Sequence, residues 1–207
     1  MRAWIIAAGI IDEPGFYRSL KIGQDDLVIC ADGGYDHARL LGIKPSIVIG
    51  DMDSVVSPVL GGLTPTIKFP ADKDQTDSQL AVEYALEHDC DEIILLGATG
   101  GRIDHTLANV MLLSLIADRG GEGLILTSQS RITLVTDKMT LKRGREDGIS
   151  FIPITPIVEG VTTEGLLYNL DNKSLQLGDT LSMSNEFRAT TANVSIKSGK
   201  LLVICSA

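Results

Sequence analysis

The sequence lacks any apolar run long enough to cross a membrane. Runs such as Ile93–Leu96 and Leu201–Cys205 are four or five residues long, whereas a membrane-spanning helix needs about 20. The first residues are also apolar, but Asp12, Glu13 and Pro14 interrupt that stretch too early for a signal peptide. We therefore expect the chain to begin with a strand and to have no membrane partner.

Basic residues are scarce relative to acidic ones. Lys and Arg number 18 against 27 Asp and Glu, which gives a formal net charge of −9. Nucleic acids and anionic membranes are bound by clustered Lys and Arg. The charge balance therefore argues against nucleic acid as a partner and favours small ligands.

Cysteine is scarce as well. Cys30, Cys90 and Cys205 are odd in number and widely spaced, and each lies in or beside an apolar segment. This pattern is typical of buried thiols that form no disulfide. We expect a protein of the reducing cytoplasm.

Up to about Ser128, short apolar runs alternate with helix-length segments that carry apolar residues on one face. The alternation is typical of a doubly wound, mostly parallel sheet with helices on both faces. The predicted strands are Trp4–Ala8, Leu27–Ala31, Ile47–Ile49, Thr66–Phe69, Glu92–Leu96 and Leu124–Thr127, and the predicted helices are Tyr35–Leu41, Ser78–His88 and His105–Arg119.

After Ser128 the pattern changes to short apolar or Thr- and Ser-rich runs separated by Gly and Asn. No helical segment of useful length follows, so this part is predicted to be an all-β sandwich. Two polar segments, Asp171–Ser174 and Lys197–Lys200, are predicted to be hairpin turns between neighbouring strands. The sequence thus predicts an α/β domain at residues 1–128 and a β domain at residues 129–207.

Acidic residues follow three of the predicted strands at the point where each strand ends. Ligands of an open α/β sheet gather outside the carboxyl ends of its strands. Several carboxylates facing that edge suit Mg²⁺, which prefers one or two carboxylates together with waters and substrate phosphates. A single pair could be a solvated loop or a helix cap, but three clusters favour a metal. The acids are Asp32 after the second strand, Asp51 and Asp53 after the third, and Asp72, Asp74 and Asp77 after the fourth.

The segment Lys73–Asp77 opens the second predicted helix. Exposed N–H groups and the positive end of the helix dipole favour phosphate oxygens at such a position. Lys73 is therefore a candidate to hold a phosphate, although it could equally be an ordinary exposed lysine. Thr76 or Asp77 could simply cap the helix.

A glycine-rich segment, Gly97–Arg102, lies between the fifth predicted strand and the third predicted helix. Its glycines allow a ligand to approach the backbone closely, although the segment matches neither a Walker loop nor the GxGxxG pattern. Arg102 and Asp104 place a fixed positive charge and a carboxylate beside it, which suit a phosphate and a metal or substrate donor. His105 either belongs to this site or is only a first-turn helix residue.

Taken together, these motifs resemble the thiamine pyrophosphokinase family over nearly the whole chain. The resemblance implies an N-terminal α/β catalytic domain for ATP and Mg²⁺, and a C-terminal β-sandwich that binds thiamine. It also implies a homodimer with the thiamine site at the subunit interface, and a reaction in which ATP and thiamine give AMP and thiamine diphosphate. The segments that carry the resemblance are Ala31–Gly34, Gly50–Ser54, Asp72–Asp77, Gly100–His105 and Ser182–Glu186.

The resemblance also suggests roles for individual residues. Asp51, Asp53 and Asp77 are expected to bind the metal, while Asp77, Asp104 and Arg102 are expected to take part in catalysis. Either Asp77 or Asp104 would accept the proton of the thiamine hydroxyl, and a metal-bound carboxylate would be the poorer base. Residues expected to contact ATP are Asp32, Gly33, Gly34, Lys73, Asp74, Thr76, Gly100 and Arg102, and those expected to contact thiamine are Tyr168, Ser182, Ser184, Asn185 and Asp104.

Two alternatives remain open. A pterin pyrophosphokinase resembles the family in its catalytic domain and performs the same transfer on a different acceptor, but the predicted β domain favours thiamine. A sensor that binds a nucleotide or thiamine diphosphate without turnover would lack one of the metal carboxylates. None is missing from this sequence.

Overall fold

The computed structural model describes residues 1–51, 64–70, 72, 74–145 and 147–207. The chain divides into two compact units, Met1–Ser128 (unit 1) and Gln129–Ala207 (unit 2). Among the described residues, no helix combines the length and the apolar character that a membrane crossing requires.

Unit 1 is a parallel sheet covered by helices. Its strands follow the order β6-β5-β1-β2-β3-β4, and all neighbouring pairs are parallel. The chain winds outward from β1 to β4 and then returns to β5 and β6, so the winding direction switches between β1 and β5. The elements are β1 (Arg2–Ile6), α1 (Pro14–Arg18), β2 (Leu27–Ala31), α2 (Gly34–Leu41), β3 (Ile47–Gly50), β4 (Thr66–Lys68), α3 (Asp77–Glu87), β5 (Glu92–Leu96), α4 (Ile103–Asp118) and β6 (Glu122–Leu126).

The central strands of unit 1 are almost continuously apolar because helices cover both of their faces. Helices α1 and α2 pack together on one face, and α3 and α4 pack together on the other. Trp4 is buried, and its Nε1 donates a hydrogen bond to Oδ2 of Asp26 at 2.8 Å. The predicted doubly wound sheet is confirmed. The short helix α1 was not predicted, because its five residues are too few to show an apolar face.

Unit 2 consists of two antiparallel sheets with a shared apolar core. One sheet has the order β12-β9-β14-β7 and the other the order β11-β10-β13-β8. Phe151, Val194 and Val203 belong to the core, to which both sheets contribute. The predicted β-sandwich is confirmed. Its strands are β7 (Ser130–Val135), β8 (Lys138–Lys142), β9 (Gly148–Pro153), β10 (Ile157–Glu164), β11 (Lys173–Gln176), β12 (Asn185–Glu186), β13 (Thr191–Ser195) and β14 (Leu201–Ser206).

One of the two predicted hairpins has its first strand misplaced, and the other is wrong. No strand forms at residues 166–170, and β11 pairs instead with β10. The segment Lys197–Lys200 connects β13 to β14, which lie in different sheets. A polar turn between two apolar runs occurs both in a hairpin and at a connection between packed sheets. The pattern alone therefore cannot tell one from the other.

The three cysteines are buried, and none forms a disulfide. Burial raises the pKa of the Cys30 thiol to about 12. The expectation of buried thiols is confirmed, and Cys30 is too weakly acidic to act as a nucleophile.

Candidate active site

The carboxyl ends of β1, β2, β3 and β5 border a cleft of about 460 Å³ in unit 1. Its wall contains Ile10 after β1, Asp32 after β2, Asp51 after β3 and Gly100 after β5. The cleft adjoins the point between β1 and β5 where the winding direction switches, which is where open α/β sheets bind ligands.

A larger cavity of about 640 Å³ lies at the opposite edge of the same sheet. Val28, Ser46 and Pro65, near the amino ends of β2, β3 and β4, contribute to its wall. Asp26 is the acid in that wall, and its Oδ2 already accepts hydrogen bonds from Trp4 and from the N–H of Gly23. The smaller cleft holds several acids and the glycine-rich segment, so we place the functional site there.

Three predicted site carboxylates, Asp32, Asp51 and Asp77, line this cleft. Gly50 allows them to approach one another: a Cβ built there would lie 2.9 Å from Cβ of Asp32 and 3.2 Å from Oδ1 of Asp77. Any side chain at position 50 would therefore push these acids apart. Asp32 is buried and has a φ of 45°, a left-handed conformation that Asp tolerates better than most residues.

The metal ligands predicted from the sequence are only partly described. Asp51 and Asp77 line the cleft, whereas Asp53 lies outside the described residues, as does Lys73. Among the residues that are described, no group of three or more His, Cys, Asp or Glu side chains is arranged to hold a metal ion. Magnesium needs only one or two protein carboxylates, so the donors present suit that ion.

Helix α3 begins at the cleft. Thr76 is its N-cap, and its hydroxyl accepts a hydrogen bond from the N–H of Gln79 at 3.2 Å. The capping alternative is therefore correct for Thr76, which also lines the cleft, while Asp77 is the first residue of the helix. Asp74 does not belong to the cleft wall.

The segment Gly97–Arg102, here called the glycine loop, joins β5 to α4. Gly97, Gly100 and Gly101 have φ values of 60°, 83° and 68°, which favour glycine. The N–H of Gly9 donates to the carbonyl of Gly97 at 2.7 Å, and the N–H of Ile10 donates to the carbonyl of Thr99 at 2.8 Å. These two hydrogen bonds hold the carbonyls of Gly97 and Thr99 in place.

Unlike these carbonyls, three N–H groups of the glycine loop form no hydrogen bond to another described residue. They are the N–H groups of Thr99, Gly100 and Gly101. Successive N–H groups in a turn with left-handed residues form a concave site for anions. The glycine loop can therefore bind phosphate through its backbone.

Arg102 and Asp104 form a bidentate ion pair at the start of α4. The Nε of Arg102 donates to Oδ1 of Asp104 at 3.1 Å, and its Nη2 donates to Oδ2 at 2.6 Å. These hydrogen bonds lower the pKa of Asp104 to about 2. A carboxylate paired in this way is a weak base, so the pair must open before Asp104 can accept a proton.

Gly33 and Gly34 were predicted to contact phosphate, but neither belongs to the cleft wall. Gly34 is buried at the start of α2, and a Cβ there would lie 1.9 Å from the carbonyl oxygen of Ile6. The glycine lets the helix pack directly against the end of β1. The close approach explains the glycine by packing, and its predicted contact with phosphate stays a prediction.

The residues predicted to contact thiamine lie in unit 2. Ser182 is buried, and its hydroxyl donates to the carbonyl of Phe151 at 2.8 Å. Asn185 accepts a hydrogen bond from the N–H of Tyr168 at 3.0 Å and donates one to the carbonyl of Tyr168 at 2.7 Å. Ser182 and Asn185 therefore stabilise the local fold. Tyr168 and Ser184 are exposed, and Asn185 fixes the backbone that carries the tyrosine ring.

Several residues of the cleft wall were not predicted, among them Gly9, Ile10 and Asn109. Gly9 and Ile10 lie shortly after β1, and the search for residues at strand ends that identified the acids could have found them. Asn109 lies in the middle of α4 and carries no such signal. His105, which the sequence left undecided, also lines the cleft.

Comparison with known proteins relates both units to one family. The model of the thiamin pyrophosphokinase catalytic domain matches residues 20–121, and that of the vitamin B1 binding domain matches residues 138–202. Thiamine pyrophosphokinase of Bacillus subtilis (strain 168) is 33% identical over 171 residues, which cover 80% of this chain and 80% of that protein. Thiamin pyrophosphokinase 1 of Caenorhabditis elegans is 30% identical over 169 residues, covering 77% and 68%.

Solved structures agree with these sequence matches. The crystal structure of the Bacillus subtilis thiamine pyrophosphokinase aligns with a TM-score of 0.90 at 29% identity, covering 100% of this chain and 99% of that one. The thiamin pyrophosphokinase of Geobacillus thermodenitrificans gives 0.86 at 30% identity, covering 100% and 98%. The similarity therefore extends over both units.

Proposed function

This chain belongs to the thiamine pyrophosphokinase family, and we propose that it transfers a diphosphate from ATP to the hydroxyl of thiamine with Mg²⁺ held at the cleft of unit 1. The products are thiamine diphosphate and AMP. One observation carries the proposal: carboxylates line a single cleft at the carboxyl edge of the sheet together with Gly100 and Gly101, whose N–H groups donate to no described residue. This combination suits a metal-bound triphosphate.

Asp51 and Asp77 would hold the magnesium ion, together with Asp53 on the basis of the family resemblance. Their oxygens are hard donors, and both described side chains line the cleft. When bound, Mg²⁺ neutralises negative charge on the triphosphate and on the departing AMP. Without a cation, these acids and Asp32 would repel the nucleotide.

Arg102 and the glycine loop hold the phosphates. The loop N–H groups bind phosphate oxygens as fixed dipoles, while the guanidinium offers a fork of donors. Thr76 lies beside them at the start of α3, where the helix dipole favours negative charge. We assign Lys73 to the same group on the basis of the resemblance.

The thiamine hydroxyl must lose a proton as it attacks the β-phosphorus, and Asp104 and Asp77 are the candidate bases. In the described structure Arg102 keeps the pKa of Asp104 low. If Arg102 turns to the triphosphate, Asp104 loses its partner and its pKa rises toward the ordinary value. Asp104 would then become a stronger base only after the nucleotide has bound.

Thiamine binding involves unit 2. Tyr168 is 67% exposed, so the face of its ring can stack on the cationic thiazolium. Ser184 offers an exposed hydroxyl, whereas Ser182 and Asn185 act by holding the surrounding backbone. The family resemblance adds Asp104 to the residues proposed to contact thiamine.

The family resemblance also implies a homodimer with thiamine at the subunit interface, and exposed apolar side chains support that assembly. Ile103, Leu107 and Met111 form a stripe along α4 and are 76%, 57% and 47% exposed. The stripe begins between Arg102 and Asp104. Exposed apolar patches beside a polar site often mark interaction surfaces, and burying this one in a second copy would also screen the cleft from water.

The dimer can be tested by light scattering. The wild-type protein should have twice the chain mass of 22.1 kDa, and Leu107→Glu should weaken the dimer by about 100-fold or more because it buries an unpaired charge. Leu40→Glu introduces the same charge at another exposed leucine, on α2, and should remain dimeric. A monomeric wild type, or a Leu107→Glu variant as dimeric as the control, would contradict the assembly.

The buried cysteines without disulfides also suit a reducing compartment. We propose that the protein is cytoplasmic and acts on small molecules only, since its net charge of −9 disfavours nucleic acid.

A turnover assay tests the acceptor. Purified protein is incubated with ATP, Mg²⁺ and either thiamine or hydroxymethyl-dihydropterin, and nucleotide and product are separated by chromatography. We expect AMP and diphosphorylated product with thiamine only. A pterin diphosphate product would retain the chemistry and change the acceptor. Tight ligand binding with no AMP would identify a sensor.

A further inference from the structure

Asn109 is a buried amide on the wall of the cleft. It lies in the middle of α4, is 8% exposed, and has the apolar neighbours Val110, Leu112 and Leu113 on the same helix. Burying an amide costs free energy unless it is hydrogen-bonded. Its Nδ2 donates to the carbonyl of Ala98 at 2.8 Å, so the glycine loop supplies its partner.

This hydrogen bond fixes the peptide between Ala98 and Thr99. In a trans peptide the C=O of one residue and the N–H of the next point in opposite directions. Holding the carbonyl of Ala98 on α4 therefore also fixes the direction of the Thr99 N–H, which donates to no described residue. The hydrogen bond from Ile10 to the carbonyl of Thr99 fixes the Gly100 N–H in the same way.

We infer that Asn109 is a positioning residue for the phosphate site: its amide anchors the glycine loop at Ala98, so that the N–H groups that follow, among them that of Gly100 in the cleft wall, are aligned before the triphosphate binds. The contact lies within unit 1 and is 2.8 Å long. The inference rests on the proposed function, because the ligand of the loop is the triphosphate of the nucleotide. It adds a residue that the family motifs in the sequence did not identify.

The most direct test is Asn109→Leu, which keeps the number and branching of the side-chain heavy atoms in a somewhat larger side chain and removes the donor. The carbonyl of Ala98, a residue that is 2% exposed, then lacks a partner, and the loop is expected to shift. The KM for ATP and the Kd for inorganic triphosphate, measured by calorimetry, should both rise about tenfold, as expected for the loss of one buried hydrogen bond. The KM for thiamine should change less than about twofold, a margin well below the effect of one lost hydrogen bond.

Val110→Ala is the matched control. Val110 is the next residue on α4, is equally buried and does not line the cleft. Its truncation should lower stability but leave the Kd for triphosphate unchanged. The two variants together separate loss of packing in α4 from loss of loop alignment.

Asn109→Asp gives a second readout that does not depend on the leucine variant folding. At neutral pH the introduced carboxylate repels the carbonyl of Ala98, whereas its protonated form donates an O–H to it. Burial raises the pKa of such a group. The ratio of triphosphate Kd between variant and wild type should therefore fall toward one as the pH is lowered.

Three results would overturn the inference: a triphosphate Kd in Asn109→Leu equal to that of Val110→Ala, an equal rise in both KM values, or a pH-independent ratio for Asn109→Asp. Failure of the proposed function is distinguishable, since it appears in the wild type as absence of AMP formation. Triphosphate binding is measured without turnover and therefore tests the positioning role in either case.

Discussion

Asp51→Asn and Asp77→Asn should each lower kcat by roughly 100-fold to 1,000-fold, the range seen when one preorganised electrostatic contact is removed. Both residues line the cleft, and Gly50 brings Asp77 close to Asp32. An amide keeps the shape of the side chain but is a far weaker ligand for a hard cation. The concentration of Mg²⁺ needed for half-maximal rate should rise in both variants, and circular dichroism should show an unchanged fold.

Asp25→Asn is the matched control for these variants. Asp25 is exposed just before the amino end of β2, at the opposite edge of the sheet, and its substitution removes the same charge. It should leave both kcat and the magnesium requirement unchanged. Full activity in Asp77→Asn, or an equal loss in Asp25→Asn, would contradict the metal assignment.

Gly34→Ala is expected to destabilise the protein by about 3 kcal/mol or more, at the upper end of overpacking effects. The new Cβ would lie 1.9 Å from the carbonyl oxygen of Ile6. Both partners are main chain within packed elements, so neither can move without displacing α2 or β1. Urea unfolding of the variant should show a clearly lower midpoint, or the variant should be recovered only in insoluble form.

Gly15→Ala provides the comparison for this variant, because a Cβ at Gly15 has no neighbour within 4 Å. That substitution, within α1, should be neutral or slightly stabilising. If Gly34→Ala unfolds at the wild-type midpoint and loses only affinity for ATP, then Gly34 contacts the phosphates as its sequence motif suggested, and the packing role is wrong.

The sequence pattern predicted the central strands of unit 1 because helices cover both of their faces, so that each reads as a continuous apolar run. The same reasoning located the acids, since residues that directly follow parallel strands meet at one edge of the sheet. Asp32, Asp51 and Asp77 do line one cleft. Their proposed roles in ATP and metal binding stay predictions.

Other features depend on distances that periodicity does not encode. A glycine in a sequence motif can allow close packing, as at Gly34, or the approach of a ligand, and only the neighbouring atoms distinguish the two. The pairing of β11 with β10 could not be read from the polar turn that precedes it. The low pKa of Asp104 results from its two hydrogen bonds with Arg102. The two residues are close in the sequence, but that closeness alone does not show that their side chains are paired.

The proposed site combines acids with groups that attract an anionic substrate. Asp32, Asp51 and Asp77 concentrate negative charge at one corner, while Arg102 and the glycine loop N–H groups supply positive potential nearby. In the proposed site, a divalent cation on the carboxylates would convert the acidic corner into a binding site for phosphate oxygens. The acids and the backbone donors would then act on the same ligand.

In the proposed reaction, the protein transfers a diphosphate rather than a single phosphoryl group. The most direct measurement is phosphorus NMR of the wild-type protein with ATP, thiamine and Mg²⁺, followed until the nucleotide is consumed. We expect AMP and thiamine diphosphate in equal amounts, with no ADP. Accumulation of ADP with thiamine monophosphate would contradict it, because the attack would then have occurred at the γ-phosphorus.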